Sequence, residues 1–108
     1  MYPIEVGLAQ TVASGKPILD ITYEGAIKSM NAKHAEEHAN VPKTDTLELL
    51  RRNSAAAAAA VRAFSDADLD RAAAVSLNAD APLTAQFVIE DHAVRHSYHH
   101  LERIRAAL

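Results

Sequence analysis

Six consecutive alanines, Ala55 to Ala60, lie inside the stretch from Thr44 to Phe64. Alanine is the strongest helix former, so this stretch is predicted to be a helix, capped at its start by Thr44 or Asp45. Leu47, Leu50, Ser54, Val61 and Phe64 give it an apolar or small-residue face. Side chains this short let a neighbouring helix come close, but they bury little area. The bias is general: alanine supplies 23 of the chain's 53 apolar residues, which leaves 30 larger ones and few aromatics. Burial stabilises by roughly 25 cal/mol per Å². One copy is therefore expected to have a thin core, and a homodimer or larger assembly is expected to supply the missing burial.

The remaining elements are predicted to be helical too. Pro3 suits a first helical turn, and Ile4, Val6, Leu8 and Val12 continue it until Ser14-Gly15-Lys16-Pro17 stops it. Ile18 to Ile21 reads as an extended connector. Thr22 caps a second helix reaching about Ala39, with Tyr23, Ala26 or Ile27, and Met30 at helical spacing; Asn40-Val41-Pro42 ends it. Ser65-Asp66-Ala67-Asp68 is a cap with an acidic first turn, opening a short helix from about Asp66 to Ala73. Val75 to Pro82 reads as a loop. Thr84 starts a last helix that runs to the end. No strand pattern and no internal repeat is evident, so the expected class is all-α.

With 108 residues the chain fits a single domain, residues 1–108. A formal net charge of -3 without any basic block argues against a nucleic-acid partner. Cysteine is absent, so no disulfide framework, thiolate ligand or cysteine nucleophile exists. No apolar run approaches the ~20 residues that span a bilayer. Met1-Tyr2-Pro3-Ile4-Glu5 lacks the basic start and apolar stretch of a signal peptide. The default expectation is a soluble cytoplasmic protein with no membrane partner.

The last helix holds the chemistry. Four of six histidines fall within nine residues, and His92, His96 and His100 are spaced four apart, one helical turn above the next. Two imidazoles at i and i+4 can share one metal ion. At ~100° per residue, Phe87, Val94, Tyr98, Leu101, Ile104 and Leu108 cluster into the expected core stripe. His92, His96, His99, His100 and Arg103 fall on the other side. Ala85, Val88, Ile89 and Ala93 share the histidine side early on, so the helix is expected to be covered on both sides at its start. His34 and His38 form a second pair one turn apart, read as solvated beside Lys33, Glu36 and Glu37; a four-histidine site built from two helices is the opposite case. The three glycines offer no phosphate loop, and no serine–histidine–acid arrangement can be argued.

From about Ile21 to Leu108 the chain resembles the DinB-like superfamily of four-helix bundles, which includes thiol-dependent transferases such as mycothiol-dependent maleylpyruvate isomerase. The resemblance rests mainly on His92-x-x-x-His96-x-x-x-His100-Leu101-Glu102-Arg103-Ile104. Weaker support comes from Met30-Asn31-Ala32-Lys33-His34, Ser65-Asp66-Ala67-Asp68-Leu69 and Pro82-Leu83-Thr84. It implies an up-down helical bundle and a divalent metal, nickel or zinc. Carried over by position, the metal ligands are His96 and His100, with His92 as near neighbour. The family's third ligand is usually a histidine on an earlier helix, whereas this chain has none before His34. By this resemblance the bundle is shortened at its N-terminus and completed by dimerisation.

Three functional readings follow. The first is a DinB-like metal-binding protein acting as a metal- and thiol-dependent transferase or hydrolase. Its thiol would be a low-molecular-weight cosubstrate, and Glu90, Asp91, Glu102 or Arg103 would orient the histidines. The second is a non-catalytic dimeric interaction module that has lost the metal site. The third binds metal without catalysis.

Overall fold

The structure, a computed structural model, describes residues 2–108 and is mostly helical. Helix α1, Tyr2–Ala13, buries Glu5, Val6, Ala9, Val12 and Ala13. It stops where Gly15 turns into the left-handed region at φ 77°. There the Lys16 N–H reaches back to the Thr11 carbonyl and the Gly15 N–H to that of Val12, the closure of a glycine C-cap. Arg71 donates a further bond to the Ala13 carbonyl.

The extended connector is anchored more firmly than its sequence suggested. Ile18, 5% exposed, forms a parallel bridge to Val75, and Ser76 Oγ bonds both the N–H and the carbonyl of Ile21 at 2.9 Å. Thr22 then caps the second helix through the Gly25 N–H. That helix, α2, opens with a wide π-helical turn, Tyr23–Ile27, and continues as Lys28–Glu37. No described residue of α2 is buried.

Helix α3, Lys43–Arg62, also has no buried residue. Its N-terminal half stands clear of the body, with Leu47 and Leu50 exposed; only Val61, and Phe64 beyond the helix end, pack against the core. The expected apolar face is thus covered at one end only. Helix α4, Asp66–Asp70, is held by a complete capping box between Ser65 and Asp68. It ends before Arg71, earlier than expected.

The following residues add a small two-stranded sheet to an otherwise helical chain. Strand β1, Ala72–Val75, pairs antiparallel with β2, Ala81–Thr84, in the register Ala72 with Thr84 through Val75 with Ala81. A 3-10 turn at Ser76–Asn78 and left-handed Ala79 and Asp80 join them. The end of the expected short helix, Ala72 and Ala73, and the expected loop from Val75 to Pro82 together form a β-hairpin. Val75 (2% exposed) and the bridge from Ile18 explain it: neighbouring backbone fixes the extended form against alanine's helical preference.

The last helix, α5, spans 85–107 in three parts: Ala85–Val88, a wide π-helical turn Ile89–Arg95, and Ala-ended His96–Ala107. Thr84 caps it by accepting the Phe87 N–H. Its expected core stripe lies outside. Phe87, Val94, Tyr98, Leu101, Ile104 and Leu108 are all exposed, whereas Ala85, Val88, Ile89 and Ala93 are buried. Two causes act together. The buried side combines the small Ala85 and Ala93 with the branched Val88 and Ile89, and it is the side that meets α1. The wide turn also holds more than four residues per turn, so a 100° wheel drawn through it loses phase. The core sits where α1, the hairpin and the first half of α5 meet, around Ala9, Val12, Ile18, Val75, Val88 and Ile89.

Candidate functional site

The α-helical half of α5 puts His96 and His100 one turn apart on its solvent side, as their spacing requires. Their Nε2 atoms lie 2.6 Å apart, with ring centroids at 4.4 Å. At that distance one imidazole N–H donates to the other ring's lone pair. The pair is thus compatible with at most one proton shared on that edge. Partial desolvation holds His96 below the ordinary imidazole range; the like charge of His100 and then of His92 and His99 acts in the same direction, against a smaller pull from Asp91. A neutral imidazole is the metal-binding form.

His92 is separated from this pair. It lies inside the π-helical turn, where four residues fall short of a full turn, and its ring is partly buried. Its Nε2 meets Asn78 Oδ1 at the hairpin tip at 3.3 Å and lies 3.9 Å from Asp91. Asn78 had no signal in the sequence, because its role depends on a hairpin that composition concealed. His99 tilts against His100 at 5.9 Å between ring centroids. Beside the pair, a cleft of about 510 Å³ is lined by Asp91, Arg95, His96, Tyr98, His99 and Glu102. Asp91 is held by an ion pair with Arg95, and Glu90 accepts a bond from Gln86. Of the charged residues expected to orient histidines, Asp91 approaches His92 at 3.9 Å and Glu102 lines the cleft with His96 and His99.

His34 on α2 and His38 at its C-terminal cap stack with centroids 4.2 Å apart, both exposed. Among the described residues no three His, Cys, Asp or Glu side chains converge to hold a metal ion. The donor set of His96 and His100 nevertheless fits half a site. Two bonds of 2.0–2.1 Å at a tetrahedral angle place the nitrogens about 3.3 Å apart. The exposed rings reach that separation by opening less than 1 Å.

No family model, curated protein or solved structure matches the chain. No described helix is long and apolar enough to cross a membrane.

Proposed function

We propose that the protein is a cytoplasmic, DinB-like metal-binding protein that holds a divalent ion, nickel or zinc, on His96 and His100. The carrying observation is the convergence of their Nε2 atoms, 2.6 Å apart, beside a solvent-open cleft. A divalent ion on neutral imidazoles with open positions lowers the pKa of a bound thiol or water. The further inference of a thiol- and metal-dependent transferase or hydrolase rests on the resemblance of the α5 pattern. In that reading the low-molecular-weight thiol enters the cleft at Asp91, His99 and Glu102, and the Asp91–Arg95 ion pair fixes the cleft wall. The depressed basicity of His96 keeps it available as a ligand near neutral pH.

The non-catalytic dimeric module is the second reading, favoured by one observation: no third donor joins the pair among the described residues. Elemental analysis of protein purified without a histidine tag, then of His96→Ala, separates the two. Stoichiometric nickel or zinc that is lost in the variant supports the proposal. A metal-free protein that does not take up either ion at micromolar concentration refutes it.

A further inference from the structure

The largest side chains fully buried within one copy are valines, Val12, Val75 and Val88. The bigger apolar side chains of α3 and α5 lie outside: Leu47, Leu50, Val94, Tyr98, Leu101 and Ile104 are all exposed. The chain accordingly shows more surface than its mass requires. Its accessible area is 7743 Å², whereas a compact monomer of 11.6 kDa exposes about 5,800 Å². Its radius of gyration is 15.0 Å, against about 13 Å for a compact chain of this length. The excess, about 1,900 Å² per copy, is more than twice the ~800 Å² each partner buries in a standard interface.

The exposed side chains of α3 and α5 belong to one face. Between α1, α3 and α5 runs a groove of about 570 Å³. Its recessed positions are small, Ala57, Ala58 and Ala93, and those that stand out on α5 are large, Val94, Tyr98 and Leu101. The large ones follow at helical steps, so they form a ridge beside a floor of alanines. Helical spacing carries the α3 edge on through Leu50 and Leu47, and the α5 edge through Ile104. Of the residues lining the groove only Arg62 is charged. The face therefore calls for a partner that is apolar, nearly free of charge, and ridged to enter a small-residue floor. A second copy of the same face meets all three conditions.

We propose that two copies of this chain associate through this face about a two-fold axis, α3 and α5 of one copy packing on α3 and α5 of the other. A two-fold interface sets a patch against itself, so it needs a surface that is its own complement. Here the ridge of Val94, Tyr98 and Leu101 in each copy lies over the alanine floor of the other. Small floor residues let the helix backbones come close, and the near absence of charge leaves little to repel. The side chains too large for the thin core of one copy thereby find cover. His96 and His100 do not line the groove, and Tyr98 alone is shared with the cleft beside them. The proposal is thus independent of the metal reading, and the histidine pair stays outside the interface.

The test follows the full untagged chain by light scattering and sedimentation. The wild type is expected to be a dimer at micromolar concentration. Leu50→Glu and Leu101→Glu set a charge in the interface, at positions 49% and 38% exposed in one copy. Each is expected to weaken dimerisation by about 100-fold or more, since the charge enters twice in a two-fold dimer. Leu19→Glu, exposed but outside the groove, is expected to leave dimerisation unchanged. A gentler probe covers the case in which the glutamate variants fail to fold. The chain has no cysteine, so Val94→Cys reports its own burial through its rate of maleimide labelling. That rate is expected to fall about tenfold or more as protein is raised through the dimerisation range, while the rate for Leu19→Cys stays constant. A wild type that is monomeric at micromolar concentration overturns the proposal and leaves the groove to a different protein. A dimer that both glutamate variants leave intact overturns it too, as does Val94→Cys labelling that does not change with concentration.

Discussion

Glu5 offers a direct test of how the core is built. It sits in the first turn of α1, is 7% exposed, and its Oε2 finds no hydrogen-bond partner among the described residues. Two effects oppose each other. A carboxylate near a helix N-terminus gains about 0.3–1 kcal/mol from the helix dipole. A buried polar atom left unsatisfied costs about 1–3 kcal/mol. The penalty exceeds the gain, so Glu5→Met, which keeps the length and helix preference, is expected to stabilise the protein by about 1–2 kcal/mol. For a domain of this size that raises Tm by roughly 4–8 °C per kcal/mol. Burial raises the Glu5 pKa above its ordinary value. The folded state therefore holds its proton to higher pH than the unfolded state does. Stability falls as pH rises from the ordinary carboxylate range through the raised value, and the penalty is complete above it. Urea unfolding of wild type, Glu5→Met and Glu5→Gln at pH 4 to 8, at fixed protein concentration, reads both effects. Both variants should flatten that pH dependence. A Glu5→Met variant less stable than wild type at pH 7 would refute the reasoning, because the carboxylate would then be making a favourable contact.

Two further perturbations probe local structure. Val88→Ala should cost about 2 kcal/mol, since Val88 is 1% exposed, while Phe87→Ala, at 42% exposed, should cost less than about 1 kcal/mol despite removing more atoms; chemical denaturation reads the order. Gly15→Ala should cost about 1 kcal/mol by the same measurement, and the cause is the left-handed backbone, because an added Cβ would meet Arg71 Cδ at an ordinary 3.6 Å.

Capping chemistry was the most legible part of the chain. Gly15, Thr22, Ser65 and Thr84 act where their residue types indicate, because a cap is decided by a few adjacent atoms; the exception is α3, which starts at Lys43 behind Pro42, so the expected caps Thr44 and Asp45 lie inside its first turn. The hairpin was hidden, because Ala72, Ala73 and Ala74 prefer helix, and only contact with Ile18 and β2 makes them extended. Left-handed Ala79 and Asp80 likewise replace the glycine or asparagine that would have announced the turn. On α5 the expected cover over Ala85, Val88, Ile89 and Ala93 is present, whereas the stripe from Phe87 to Leu108 is exposed, because the face that meets α1 is the one carrying the former set. The His96–His100 pair followed from spacing, since both lie in regular helix. His92 departs from the row because it lies in the wide turn, which spacing alone cannot show.

The wide turn at Ile89–Arg95 also divides α5 into two independently phased segments. A π-helical turn amounts to one residue inserted into an α-helix. Upstream of it, Ala85 and Val88 are fixed by the core; downstream, every residue to Ala107 takes its bearing from the insertion. Losing a single residue there would leave the buried segment in place and swing the histidine-bearing segment by about 100°. The aim of the His96–His100 pair is therefore set by a length change of one residue, a variable that substitution at the histidines themselves leaves untouched.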